Sequence, residues 1–427
     1  MRTDDGVLLL ISSGRRAYRE YLLAGLSACV PVWLVDEEPP TWQRRYIAGS
    51  SVVSLTDHAR MVPDEDGLLE AAAEVARTRP VRGICTYDEG FVIAAARVAE
   101  RLGLPGFTAA GAGHCRDKHL TRAVLTRHGL PQPRYAVAGT LGEAVAAAER
   151  IGFPVVLKPR GMGASAGVVK AGQPSEVAEA FAVAARASHA GPPAFEEGLL
   201  VEEMVVGPEI SVDGVVTSGE YRPFCLARKH LGPAPYFEEI GHVVSAADPL
   251  LTDAWLNLVL AQAHRALGLD CGITHTEVRM TARGPVIIEV NGRLGGDLIP
   301  YIGQLATGVD PGRVAADAAL GVRPRLEPAH HQVAGIRFLY PPEDCRVLDI
   351  GLPEPGAVPG LIRAEPMAGP GDIVCLPPRA HLGRYAFLVA CGTDPAACEA
   401  SLDEAAMLAS IRYEALKPAE LVSASLL

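Results

Sequence analysis

Positive charge is in short supply: 39 Lys and Arg stand against 50 Asp and Glu among 427 residues, a formal net charge of −11 with a pI near 5.6. No basic field is left to attract a phosphate backbone, which excludes a general nucleic-acid binder. The nine cysteines include no Cys-x-x-Cys pair, so neither a zinc site nor a disulfide framework is expected, and reduced thiols in a cytoplasmic protein are. No apolar stretch approaches the length of a membrane span, so no membrane partner is expected. The first apolar run, Val7–Ile11, is strand-length and follows two aspartates, unlike a signal peptide. Internal repeats and low-complexity arrays are missing too. What remains is a chain 49% hydrophobic and 21% charged, a globular composition at a length that calls for two or three domains.

Residues 1–110 alternate strand and helix: strands at 7–11, 30–35, 52–55 and 83–86, helices at 15–26, 67–77 and 94–102. That alternation implies a parallel, doubly wound sheet. Ser12-Ser13-Gly14 after the first strand lacks the Gly-x-Gly-x-x-Gly spacing and reads as a tight turn. Asp88-Glu89 follows a strand end, where open α/β sheets bind ligands, and a helix N-cap is the equal alternative. Further on, Asp117-Lys118 opens a basic helix, and Thr140…Glu143 is a capping box for an alanine-rich one. An apolar strand then ends in Lys158 and runs into Gly161-Met162-Gly163-Ala164-Ser165-Ala166-Gly167. Successive N–H groups of such a loop can form an anion nest, to which Lys158 adds a point charge.

A helix at 175–187, a Gly/Pro linker, a strand starting at 199, a turn and a strand at 209–216 follow. Residues 222–240, rich in Pro, Gly and charge, read as a loop near a site, where Phe237 and Glu239 could recognise a zwitterion. The helix 252–267 is expected to pack through Trp255, Leu258, Val259 and Leu267. A third unit begins near 323, with strands at 333–339 and 385–389, a Gly/Pro-rich stretch to 371 and a helix at 395–410.

The densest chemistry lies in 272–300. Two strands, 275–280 and 285–291, joined by the three-residue loop Ala282-Arg283-Gly284, would set Glu277 opposite Glu289 and His275 opposite Asn291. Facing carboxylates repel unless a cation lies between them. Oxygen-only ligands of this kind suit Mg²⁺. Arg293 and Gly295-Gly296 follow, a fixed positive charge beside backbone that a ligand can approach closely.

In order and spacing, Lys118, Lys158 with its Gly-rich loop, Glu202…Glu209 and Glu277…Glu289-x-Asn291 resemble the ATP-grasp superfamily. The run Thr-Glu-Val-Arg…Glu-Val-Asn-Gly-Arg-Leu-Gly-Gly-Asp is most similar to its carboxylate–amine ligases, and the last hundred residues to the C-terminal unit of biotin-carboxylase-like members. The resemblance implies an α/β (in part α+β) fold. Its units would be an N-terminal doubly wound domain (1–110), an ATP-grasp domain of two α+β subdomains (111–322, the smaller at about 130–200) and a C-terminal α+β domain (323–427).

It further implies ATP with two Mg²⁺ ions, or Mn²⁺ in their place, as cofactors. Lys118 and Lys158 would contact the phosphates under the loop of Gly161, Gly163, Ser165, Ala166 and Gly167. Glu202, Glu203 and the backbone through Val205 would hold adenine, and Glu209 the ribose. Glu277, Glu289 and Asn291 would bind metal, with Arg293 at the transferring phosphoryl group. Glu89, His275, Gly295, Gly296, Phe237 and Glu239 are candidate substrate contacts. The expected activity joins a small-molecule carboxylate to an amine through an acyl phosphate, releasing ADP. A bicarbonate-using carboxylase and an ATP-binding protein without turnover are the alternatives. A monomer and a homodimer both stay open.

Overall fold

The computed structural model describes residues 6–57, 62–189, 195, 197–232 and 235–417. All five residues of Val7–Ile11 are buried, as a strand covered by helices on both faces must be. It lies between Val32–Asp36 and Val81–Thr86 in a four-stranded parallel sheet that Gly49–Val52 completes. This last strand lies just before the expected 52–55. The helices Arg16–Ser27, Glu65–Thr78 and Val92–Leu102 accompany the sheet.

Asp117 caps the helix Lys118–Arg127 by accepting from the His119 N–H. The capping box of Thr140 and Glu143 starts Leu141–Ile151. Four antiparallel strands, in the order Tyr135–Ala138, Leu199–Glu203, Val155–Lys158 and Val169–Ala171, form a small sheet. The alanine faces of Leu141–Ile151 and Val177–His189 cover it, and their small side chains let helix and sheet approach closely. The linker expected after the second of these helices lies mostly outside the described residues.

The central element is an eight-stranded antiparallel sheet. Its order is Gly284–Asn291, Gly272–Thr281, Glu209–Thr217, Glu220–Leu231, Glu239–Ser245, Val333–Leu339, Ala386–Gly392 and Leu361–Pro366. Strands from both sides of position 323 therefore share one sheet. One core cluster links the N-terminal sheet (Leu8, Leu10) to the central one (Val215, Phe224, Ile336, Phe387) through Ile302 and Val314. Among the described residues no helix is long and apolar enough to cross a membrane.

Three expectations need correction. Most of 222–240 is strand, not loop: Glu220–Leu231 pairs on both sides, and Pro223 sits at a bulge opposite Gly214, where a missing N–H is tolerated. Residues 233 and 234 lie outside the described residues. In Ala254–Leu267, Trp255 and Leu258 are exposed; the buried face is Leu256, Val259, Leu260, Ala263, His264 and Leu267. The Gly/Pro-rich stretch before 371 contains the strands Cys345–Gly351 and Leu361–Pro366.

The turn of the 272–291 hairpin is also tighter than expected. Thr281 pairs with Gly284, which leaves two turn residues, and a bulge between Glu277 and Val278 restores the pairing of Glu277 with Glu289 and His275 with Asn291. Gly284 has φ of +99°, and a Cβ there would run into the Trp255 ring. Gly284→Ala should therefore cost about 1–3 kcal/mol, read as a lower urea midpoint with an unchanged m-value. An unchanged midpoint would contradict the turn geometry.

Candidate active site

The small sheet faces the edge of the central sheet, and the cleft between them collects the charged residues. Its walls include Lys118, Lys158, Glu202, Glu203, Glu209, Glu277, Arg279, Glu289, Asn291 and Arg293. Val156, Met204, Val205 and Ile288 line an apolar part, and Met162, Gly163, Ala164, Ser165 and Val168 bring the Gly-rich loop to its rim. The hairpin bulge turns Ile288 toward the cleft and sends Ile287 into the core with Val290, the reverse of strict alternation. Ala164 and Ser165 adopt φ of 54° and 57°. Left-handed backbone in a small-residue loop suits it to wrap an anion.

The acids of the cleft are met by cations of the protein itself. Lys118 Nζ lies 3.0 Å from Glu289 and donates to the Met162 carbonyl at 2.6 Å. Lys158 Nζ is 2.7 Å from Glu202, whose other side takes Arg122 at 2.7 Å. Burial would push the Glu202 carboxyl up, but Arg122 and Lys158 hold it at about 2. Burial pulls the Lys158 ammonium down, against the attraction of Glu202. Glu203, expected beside adenine, pairs at the rim with Arg134 and Arg283, both at 3.1 Å.

Lys229, in the stretch expected to be a loop, is buried among three carboxylates: Glu209 at 2.7 Å, Glu239 at 2.9 Å and Glu277 at 3.2 Å. Burial opposes its charge, yet the three acids raise its pKa well above the usual lysine range. Arg279 also holds Glu209, at 2.6 Å.

Glu277 and Glu289 differ. Burial raises the Glu277 carboxyl, and Glu239, Glu289 and Glu209 add to the rise against Lys229. Burial also acts on Glu289, but Lys118 and Lys158 outweigh it and lower its carboxyl. Two facing carboxylates and the Asn291 carboxamide form the all-oxygen donor set that a hard divalent cation takes. The group therefore fits Mg²⁺.

A second cleft meets the first at Arg293. Ser12, Ser13, Gly14, Arg15, Tyr18, Arg19, Tyr87, Asp88, Glu89 and Gly296 complete it. Arg293 Nε lies 2.6 Å from Glu89. Ser13 donates from its N–H (3.1 Å) and its hydroxyl (2.7 Å) to Asp36, which closes the turn after the first strand.

The other sequence candidates are placed as follows. His275 Nδ1 is 2.7 Å from Asp213, whose same oxygen accepts the Gly295 N–H at 3.0 Å. A Cβ on Gly295 would press on His275 at 2.8 Å. Phe237 lines the first cleft; Glu239 lies behind it on Lys229 and His242. Gly161 accepts from Arg116 through its carbonyl, and the Gly167 N–H donates to His381 at 3.1 Å. Neither of these glycines, nor Ala166, lines the cleft.

Glu239, His242 and Asp297 hold three ligand-type atoms within 4.8 Å, but Lys229 and Arg384 already neutralise the two acids. Arg122, Asp213, His242 and Arg384 escaped the sequence reading. Arg122 could have been found, since it follows Lys118 by one helical turn on the same face.

Opposite pKa directions give opposite stability effects. A carboxyl raised above its unfolded value supplies stability below the unfolded pKa and loses it as pH rises through the folded one; a lowered carboxyl behaves conversely. At pH 7 the Glu277 charge therefore destabilises the metal-free fold and the Glu289 charge stabilises it. Glu277→Gln should be no less stable than the parent in chelator, whereas Glu289→Gln, which takes the counter-charge from the buried Lys118, should lose about 3 kcal/mol. Equal destabilisation of both variants in urea melts would contradict the charge assignment.

Three family models match parts of the chain. Residues 151–301 match the family described as ATP-grasp domain, 337–414 L-amino acid ligase C-terminal domain 2, and 32–106 ATP-grasp N-terminal domain. The chain is 32% identical over 282 residues to an alanine–anticapsin ligase of Bacillus subtilis, which covers 61% of this chain and 58% of that protein. It thus spans less than two thirds of that relative. With D-alanine–D-alanine ligase of Bordetella pertussis the identity is 26% over 322 residues, covering 70% of this chain and 90% of that one. The structure of an L-amino acid ligase from Bacillus licheniformis superposes with a TM-score of 0.77 at 21% identity, covering 96% of this chain and 100% of that one. Biotin carboxylase of Campylobacter jejuni gives 0.67 at 16%, covering 96% and 92%. At such identities these two show the fold alone.

Proposed function

The chain belongs to the ATP-grasp superfamily, and from that premise we propose that it is an ADP-forming carboxylate–amine ligase whose first substrate is the carboxylate of an amino acid. The observation that carries this reading is the junction at Arg293 of a cleft lined by Lys118, Lys158, Glu277, Glu289 and Asn291 with a second, polar cleft. The match to an L-amino acid ligase C-terminal domain and the alanine–anticapsin and D-alanine–D-alanine ligase relatives support a ligase over a bicarbonate-using carboxylase. Lys118, Lys158 and Arg293 beside the acids argue for turnover over mere nucleotide binding.

In this proposal ATP occupies the first cleft. Its purine lies in the apolar part between Val156, Met204, Val205 and Ile288, its ribose hydroxyls reach Glu209, and Met162, Gly163, Ala164 and Ser165 of the Gly-rich loop cover its phosphates. Lys118 and Lys158, charged and desolvated, neutralise phosphate oxygens more strongly than they would in water. Glu277, Glu289 and Asn291 would hold Mg²⁺, which would neutralise phosphate charge when bound.

The acid lies in the second cleft, against Arg293. A free carboxylate has no leaving group. Its oxygen attacks the γ-phosphorus, the bond to the ADP oxygen breaks, and Arg293 meets the charge on the transferring group. The amine then attacks the acyl carbon, the amide forms and phosphate leaves. Closure around both substrates keeps water from the mixed anhydride.

A screen of amino acids for ADP release should find the acid. With that acid, ATP, Mg²⁺ and hydroxylamine in place of the amine, the hydroxamate should accumulate with ADP in equal amounts. AMP and pyrophosphate instead would mean adenylation and overturn the proposal.

A further inference from the structure

Beyond Arg293 the chain passes through two consecutive left-handed residues, Asp297 (φ 52°) and Leu298 (φ 59°). Neither is glycine, so the surroundings must hold this turn. Asp297 does so through Arg384, which comes from the distant segment before Ala386–Gly392. Arg384 Nη1 and Nη2 reach the two Asp297 oxygens at 2.7 and 2.8 Å. The same guanidinium donates to the Glu239 carbonyl at 2.7 Å and the Tyr340 hydroxyl at 3.0 Å. It lies 3.6 Å from the Phe338 ring centre. Arg384 is 4% exposed and lines neither cleft.

A bidentate pair fixes orientation as well as distance. Its other end is already tied, since the Gly295 N–H donates to Asp213. Arg293, Gly295 and Gly296 are thus strung on a short loop anchored after Asn291 at two points, and the second anchor belongs to the C-terminal part of the chain. The segment that carries Arg384 also touches the end of the Gly-rich loop and the residue before Glu239–Ser245. His381 Nε2 accepts the Gly167 N–H, and the Leu382 N–H donates to Glu238 at 3.2 Å.

We propose that Arg384 is a positioning residue: through Asp297 it holds the loop that aims Arg293 at the transferring phosphoryl group, and this is what the C-terminal part of the chain contributes to the reaction. The proposal rests on the phosphoryl-transfer reading above. It differs from a purely structural role in what it moves. Nucleotide ground-state binding depends on groups Arg384 does not touch, whereas stabilisation of the transferring group depends on where Arg293 points.

The test is calorimetric and needs no knowledge of the acid. MgADP affinity is measured alone and with aluminium fluoride, which mimics the group in transfer. The parent protein should bind MgADP more tightly with the fluoride, and Arg293→Ala should abolish that gain. Arg384→Gln should keep its MgADP affinity and lose roughly tenfold or more of the gain, the scale on which misplaced groups cost catalysis. Because Arg384→Gln removes the guanidinium from the half-buried Asp297 carboxylate, Arg384→Lys is run beside it. It retains the charge, gives up the two-point grip, and should lose the gain while melting closer to the parent. A full gain in a folded Arg384→Lys protein would overturn the positioning role and leave the ligase reading standing. Absence of any gain in the parent would overturn the phosphoryl-transfer reading, and this proposal with it.

Discussion

A carboxylate taken out of water must find a cation, and the site follows from that constraint. The central sheet brings Glu209, Glu239 and Glu277 from three strands to one spot, and Lys229, on a fourth, lies within 3.2 Å of all three. The same rule puts Lys118 on Glu289, and Arg122 with Lys158 on Glu202. These acids therefore have a cation beside them before any ligand enters, although three of them share Lys229. Bound Mg²⁺ and polyphosphate would exchange partners inside this network without having to build one, which is the preorganisation that electrostatic catalysis needs.

Much of this was legible in the sequence, for physical reasons. Strand periodicity of two, with polar residues converging, gave the pairing of Glu277 with Glu289 and of His275 with Asn291 that the structure has. The turn was misjudged because a bulge and a shorter loop produce the same pairing as a longer loop, and alternation alone cannot tell them apart. Lys229 was hidden because Pro223, Gly232 and a run of charge look like loop sequence. Pairing with a strand on either side makes that stretch a strand and brings the three acids to Lys229. Trp255 and Leu258 were assigned inward because the helix 254–267 carries large apolar residues on two faces, which leaves the phase of its stripe undetermined.

Arg384 was beyond the reach of sequence. Its partners Asp297, Glu239 and Tyr340 are scattered through the chain, and only the continuity of the eight-stranded sheet across position 323 brings them together. We propose three units, at 1–110, 111–322 and 323–427, yet the shared sheet and the core cluster from Leu8 to Phe387 make them one mechanical body around the cleft. Tolerance of sequence change should then be lowest where the units meet at the cleft.

The central claim is that a substrate carboxylate attacks the terminal phosphorus of ATP. Labelling both carboxylate oxygens of the accepted acid with ¹⁸O, and examining the released phosphate by mass spectrometry, follows that bond directly. The account predicts one ¹⁸O atom in each phosphate and one left in the amide product. Phosphate free of label, with ¹⁸O in AMP or only in the product, would contradict it.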